Sequence, residues 1–178
     1  MIQQIAKLIV ALNSNLGRGQ IAAGFAWGFW LGLIPAGNAV WVVLFMISFF
    51  FKNHHASKML VIVIMKAVYG TVAPTVDMVG WEVLHIEALR PVFTEFYNMP
   101  LVPYTKFNNT LVAGGLVSGI VMWLPVFALI FLLIPLYRNK LSPKIRNSKP
   151  VQAIKRIPII SKIGSAVSTV SGAKDILG

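Results

Sequence analysis

Two long stretches of the chain contain no Asp, Glu, Lys, Arg or His, namely residues 20–51 and 110–137. Uncharged apolar runs longer than about 18 residues are typical of membrane-spanning helices. A shorter apolar run predicts a further span over residues 56–75, provided that Lys58 and Lys66 face protein or reach the membrane interface. The pattern therefore predicts an all-α membrane protein with a helical hairpin, two further transmembrane helices and interfacial amphipathic helices.

The first long run exceeds the length of one crossing. As one straight helix its 32 residues would measure about 48 Å, against a hydrocarbon core of about 30 Å. A proline, a glycine and an asparagine near its middle predict a turn at Pro35, Gly37 and Asn38. We therefore expect a hairpin over residues 20–51, whose turn is buried in protein or lines a polar cavity. Its two halves would be Gln20–Leu33 and Ala39–Phe51.

Three glycines in the first half of this hairpin share one helical face. Gly24, Gly28 and Gly32 lie four residues apart, which lets another backbone approach closely. We expect a transmembrane helix of a partner protein to pack against this glycine face and against the turn at Pro35, Gly37 and Asn38. Ala26 lies on another face, where a larger side chain should be tolerated.

The second long run repeats part of this pattern. Gly115 and Gly119 precede Pro125, much as Gly24 and Gly28 precede Pro35. Paired helices broken by glycine or proline occur in transporters built from internal repeats. Residues 107–138 could therefore form a second hairpin, or one long helix kinked at Pro125.

The distribution of charge predicts the orientation in the membrane. Four of the five acidic residues lie between Asp77 and Glu95, where Arg90 is the only Lys or Arg. Cytoplasmic segments are richer in Lys and Arg, so residues 76–104 are expected to form an outer acidic segment. Both termini would be cytoplasmic in a multi-pass membrane protein. Amphipathic aromatic residues would anchor the outer segment at the interface: Trp81, Tyr97 and Tyr104.

The two ends of the chain differ from the membrane domain, residues 17–138. Residues 1–16 predict a helix at the membrane interface, or equally a helix packed on the rest of the protein. The tail, residues 139–178, contributes much of the net charge of +11 and should contact anionic phospholipid from the cytoplasmic side. No nucleic-acid-binding motif accompanies this charge, so we expect no nucleic acid partner. The cations assigned to lipid are Arg138, Lys140, Lys144, Arg146, Lys149, Lys155 and Arg156.

The residues that carry most enzyme chemistry are scarce. The chain has no cysteine, which excludes thiol nucleophiles and Cys-ligated metal sites. His54 and His55 are adjacent, so they do not present both rings from one helix face to a metal. We therefore predict a protein that is not an enzyme, with no catalytic residues, no bound metal and no cofactor.

A series of small residues resembles a bacterial membrane family catalogued as domain of unknown function two thousand and sixty-two. The three glycines Gly24, Gly28 and Gly32 lead into Leu33-Ile34-Pro35 and Gly37, and Asn53-xx-Ala56 and Gly70-Thr71 follow. The resemblance covers roughly residues 17–138. Ala73-Pro74 stands where many relatives have Asn-Pro, and the acidic insert and the tail are longer, as in a divergent branch.

The resemblance carries over no catalytic residues, because none is established for that family. Members of this branch accompany large envelope proteins of the AsmA or TamB type, which are elongated lipid carriers. The resemblance therefore implies a non-enzymatic inner-membrane subunit that anchors or couples to such a protein in lipid transfer. The alternative is a small transporter or channel built on Gly- and Pro-broken helices.

Overall fold

The structure is a computed structural model that describes residues 17–141, with side chains as far as Asn139. The predicted helix over residues 1–16 and the tail beyond Leu141 lie outside the described residues. Every regular element between residues 17 and 141 is helical, which confirms the all-α fold class for that part of the chain. The α-helices are α1 (Arg18–Leu33), α2 (Ala39–Ile47), α3 (His55–Ala67), α4 (Tyr69–Leu84), α5 (Arg90–Asn98) and α6 (Thr110–Leu136).

Short 3₁₀ turns flank α5 at Glu87–Leu89 and Val102–Thr105, and a π-helical turn covers Tyr137–Leu141. The described part of the chain divides into two compact units between Pro135 and Leu136. Among the described residues, only Leu136 and the π-helical turn belong to the second unit.

The first long apolar run is broken where its proline and glycine predict a break. Helix α1 ends at Leu33 and α2 begins at Ala39. Between them Gly37 has a φ of +90°, a conformation that side-chain-bearing residues rarely adopt. Helix α2 ends at Ile47, four residues before the predicted Phe51.

The early end of α2 has a local cause. The Asn53 side-chain amide donates to the Ser48 carbonyl at 2.5 Å and to the Phe51 carbonyl at 3.0 Å. Residues 48–51 are thereby held in turns, because a side chain satisfies carbonyls that a continuing helix would use.

Residues 56–75 do not form the single continuous helix that a simple span requires. Helices α3 and α4 meet at Val68 and are bent by 87° relative to one another. Val68, Tyr69, Gly70 and Thr71 are all poor helix formers. Pro74 also lacks the N–H that would bond the Gly70 carbonyl, so the bend lies in a segment of low helix propensity. The predicted outer segment, residues 76–104, accordingly begins inside α4 and not at a helix end.

The second long run forms one helix and not a second hairpin. Helix α6 passes through Pro125 and Pro135 without a break. The helical stretch Thr110–Asn139 is long and apolar enough to cross a membrane. Within the described residues it is the one such helix, or one of two if the bent pair α3 and α4 together makes a span.

Helix α1 lies antiparallel to α6. Near the start of α1, Ile21 and Ala22 pack against Ile134, close to the end of α6. A Cβ added at Gly115, near the start of α6, would lie 2.9 Å from the Leu33 carbonyl oxygen at the end of α1. The sixteen residues of α1 extend about 24 Å, so the Pro35 turn lies toward the Thr110 end of α6.

Candidate helix-packing site

The glycine face of α1 is in backbone contact with α3. A Cβ added at Gly24 would lie 2.6 Å from the His54 carbonyl oxygen, and one at Gly28 would lie 2.6 Å from the Lys58 carbonyl oxygen. Real Cβ atoms do not approach that closely, so only glycine permits this contact. Gly32 faces the Met65 side chain in the same way, and the two helices therefore run parallel along three successive turns.

This contact corrects the assignment of the glycine face to a partner protein. Close approach of a second helix was expected at Gly24, Gly28 and Gly32, and the helix that occupies the face is the chain's own α3. No room remains there for another. Ala26 was expected to tolerate a larger side chain, but it is 0% exposed and belongs to the core.

The turn between α1 and α2 is held by hydrogen bonds from Asn38 and Trp41. The Asn38 side-chain nitrogen donates to the Pro35 carbonyl at 2.6 Å, and its oxygen accepts from the Trp41 backbone N–H at 2.8 Å. The Trp41 indole N–H donates to the Leu31 carbonyl at 2.9 Å. Asn38 thus serves as the N-cap of α2, and the turn satisfies backbone groups that lipid could not.

Lys66 closes the carboxyl end of α1. Its ammonium group donates to the Gly32 carbonyl at 3.1 Å and to the Ile34 carbonyl at 2.5 Å. The last carbonyls of a helix have no partner within it, and they carry partial negative charge. A cation from α3 supplies both the missing donor and the opposite charge, so Lys66 stabilises the break in the hairpin.

Lys58 lies one turn into α3 and is 0% exposed. Its ammonium group donates to the Ser48 hydroxyl at 2.6 Å, and that hydroxyl donates to the Phe45 carbonyl at 2.6 Å. The ammonium nitrogen also lies 4.0 Å from the centre of the Phe49 ring. Lys58 therefore stabilises the carboxyl end of α2 through the Ser48 hydroxyl and the Phe49 ring, whereas Lys66 stabilises the carboxyl end of α1 through backbone carbonyls.

His54 caps the amino end of α3. Its ring Nδ1 accepts from the Ser57 backbone N–H at 3.2 Å. Burial lowers the pKa of His54 below its usual range, and the neighbouring charge on His55 lowers it further. The cap requires a neutral ring, because a protonated imidazole has no acceptor. The lowered pKa favours this neutral form.

The glycines of α6 also make contacts within the chain. Gly115 packs against Leu33 and Ile34, and Gly119 faces the Trp30 ring. Pro125 lies within the continuous helix α6 and forms no turn. Gly115 and Gly119 therefore belong to a contact between α6 and α1, and Pro125 is an internal residue of one continuous helix.

Gly80 and Gly114 form a further close contact, which the spacing of glycines in the two long apolar runs does not predict. The backbones of α4 and α6 meet there, so closely that neither position has room for a Cβ. The Thr110 hydroxyl donates to the Asp77 carboxylate beside this contact. Gly80 lies in a segment with acidic neighbours, outside the two long uncharged runs, so its glycine carries no apolar-run signal.

The predicted anionic-lipid residues lie mostly outside the described residues. Arg138 is half-buried in the π-helical turn. Lys140 lies in the same turn, without a described side chain. The cations at positions 144, 146, 149, 155 and 156 lie beyond Leu141. Among residues 17–141 no three His, Asp or Glu side chains are grouped as metal ligands would be.

A protein of Treponema pallidum (strain Nichols), described as an uncharacterized protein, is similar to this chain. The two are 29% identical over 162 residues, which cover 91% of this chain and 100% of the Treponema protein. No family model matches the chain. No solved structure matches it either.

Proposed function

We propose that the chain is a non-enzymatic subunit of the bacterial inner membrane, which couples to a larger envelope protein in lipid transfer. Both termini lie in the cytoplasm, and residues 76–104 lie on the outer side. The partner contributes a transmembrane helix, which packs on the exposed side of the hairpin because α3 already occupies the glycine face.

Helix α2 carries this proposal. All of its residues are apolar, and none of them is buried within the described part of the chain. Val43 is 53% exposed and Met46 is 61% exposed. Within a membrane such a face contacts either lipid or another helix.

The hydrogen bonds at both ends of α2 favour a second helix over lipid alone. Trp41 ties its first turn to α1, and Ser48 joins its last turn to Lys58 of α3. The exposed face is therefore presented in one fixed position, and a surface ordered in advance binds a partner at a lower entropic cost.

Photocrosslinking in cells tests the coupling. A photoreactive residue at Val43 or at Met46 should capture one larger protein. The same residue at Leu132, which is also exposed but lies on α6, is the control and should label lipid. Capture of copies of this chain alone from the α2 positions, or equal capture from all three positions, would contradict the proposal.

Cysteine labelling tests the orientation separately. The surplus of Lys and Arg toward the carboxyl terminus supports a cytoplasmic tail. A cysteine at Glu87 should react with an impermeant reagent added outside intact cells, and one at Ser148 should react only after lysis. The reverse labelling pattern would overturn the topology while leaving the coupling to be tested by crosslinking.

A small transporter or channel is the second candidate, and Lys58 favours it. A lysine away from water in a bundle of broken helices is typical of solute and ion pathways. Purified protein in vesicles should then release a trapped solute without any partner, and Lys58→Met should abolish that flux. Vesicles that stay sealed with the parent protein would eliminate this candidate.

A further inference from the structure

A cleft of about 440 Å³ lies on the part of the molecule formed by α4, α5 and the segment before α6. One wall is the last turn of α4, which contributes Trp81. The opposite wall is α5. The chain segment that leads into α6 closes the cleft with Phe107 and Thr110.

Helix α5 turns one continuous face toward this cleft. Arg90, Phe93, Thr94, Tyr97 and Asn98 all line it, and they recur at the spacing of a single helix face. The Phe107 ring lies 6.1 Å from the Phe93 ring and 6.4 Å from the Tyr97 ring, measured between centroids. The cleft therefore has an aromatic wall along its length and a cation at the amino end of α5.

The charges of the segment are separated in a way that favours an anionic ligand. Arg90 is the only Lys or Arg between Asp77 and Glu95, and it lines the cleft. None of the four acidic residues of that segment lines it, and the Asp77 carboxylate beside it accepts a hydrogen bond from the Thr110 hydroxyl. A guanidinium group binds phosphate through two parallel hydrogen bonds, which gives it a preference for that group.

The position of the cleft along the membrane normal indicates that the ligand also has an apolar part. Thr110, which lines the cleft, is also the first residue of α6, the helix long and apolar enough to cross a membrane. The cleft would thus lie where the hydrocarbon core gives way to headgroups. Aromatic side chains are the residues that prefer this boundary.

We propose that the cleft binds one phospholipid molecule from the membrane, with its phosphate on Arg90 and its upper acyl chains along Phe93, Tyr97 and Phe107. The cleft matches this ligand in both charge and apolar surface. The proposal requires α6 to lie in a membrane and does not require a larger partner protein. It can therefore hold or fail independently of the coupling proposed above.

Photolabelling with a modified phospholipid tests the cleft in the full-length chain. The probe is phosphatidylglycerol with a photoreactive group in one acyl chain, added to purified protein in mild detergent. Labelled peptides should come from residues 81–110. Arg90→Gln should lower that labelling by about tenfold, as expected for loss of a charged hydrogen bond. Lys106→Gln, on the same segment but outside the cleft, should leave it unchanged.

Two further measurements separate the cleft from general attraction to the basic tail. Label on peptides from residues 139–178 should be the same in the parent and in Arg90→Gln. A photoreactive diacylglycerol, which lacks the phosphate, should label residues 81–110 weakly in both proteins. Equal labelling of the cleft by both lipids, equal labelling of the parent and Arg90→Gln, or full competition by inorganic phosphate would each overturn the proposal.

Discussion

The two arms of the hairpin differ in burial although both are apolar. In α1, nine of sixteen residues are buried, including Gly24, Gly28 and Gly32. In α2, none of nine residues is buried. Apart from Ala39, α2 consists of large side chains only, from Val40 to Ile47.

The difference shows that hydrophobicity alone does not decide which helix is enclosed. Lipid tails are as apolar as leucine, so an apolar helix gains little by leaving them for protein. Glycines change this, because they allow backbones to come within van der Waals contact. Helix α1 is held by packing along its length, whereas α2 is held by polar bonds at its two ends.

Substitution at the glycine face should have the largest effect. Leucine at position 28 would clash with the backbone of Lys58 and with Val61, neither of which can move without displacing α3. We expect Gly28→Leu to cost more than about 3 kcal/mol or to prevent folding. Its thermal melting in detergent would show this as loss of the cooperative transition.

The matched control lies on the other arm. Val43→Leu adds one carbon to an exposed side chain of α2 and should melt within a few degrees of the parent. If the two substitutions lowered the melting temperature equally, the distinction between a packed arm and an exposed arm would be refuted.

The two lysines of α3 should differ in a similar way. Lys66→Met leaves the Gly32 and Ile34 carbonyls without their donor, at about 1–3 kcal/mol for each buried group left unsatisfied. Lys58→Met removes a partner from Ser48, whose hydroxyl still donates to the Phe45 carbonyl. Denaturant titration in micelles should therefore place Lys66→Met well below Lys58→Met, and the opposite order would contradict these roles.

The sequence predicts the positions of the special residues better than it predicts their partners. The spacing of Gly24, Gly28 and Gly32 predicts a close helix contact. The occupant is not encoded in a matching motif, because Ser57 and Val61 of α3 are ordinary helix residues. A helical face is a local property, whereas the choice between the chain's own helix and a foreign one depends on the whole fold.

The same holds for the polar residues in apolar segments. Lys66 is expected to face protein or to reach the membrane interface, since a charge in lipid needs a partner, and its ammonium group donates to two carbonyls of the chain. Its acceptors are backbone carbonyls. Every residue has one, so the sequence does not indicate which carbonyls accept from Lys66. The length and composition of the apolar run likewise do not predict the 87° bend at Val68.

Alanine at Gly37 should have an intermediate effect. Its φ of +90° is strained for any side-chain-bearing residue, even though there is open space around a Cβ. We expect Gly37→Ala to cost roughly 1–2 kcal/mol by denaturant titration. Gly70→Ala is the control, because Gly70 is helical with open space around it and should gain stability slightly.

The cap of α3 should make stability depend on pH. The folded pKa of His54 is lowered, chiefly by burial and then by His55, so the unfolded chain binds a proton first as pH falls. The contribution of His54 to stability should be constant above about pH 7 and fall as the pH drops below about 6.5, and the lowered pKa of His55 adds to the same fall. His54→Asn keeps a capping oxygen and should flatten this part of the profile. An unchanged slope in the variant would assign the dependence to another group.

Shortening a side chain on the exposed arm should have the smallest effect on stability and the most selective effect on assembly. Val43 is exposed within the described chain, so Val43→Ala should change the free energy of unfolding by less than about 0.5 kcal/mol. If a partner helix covers α2, the same change opens a gap in that contact, worth about 1 kcal/mol or a fivefold loss of affinity. The yield of the photoproduct from Met46 should fall accordingly, while Leu132→Ala on α6 leaves it unchanged. A yield that is insensitive to both would mean that lipid, and not a partner helix, covers this arm.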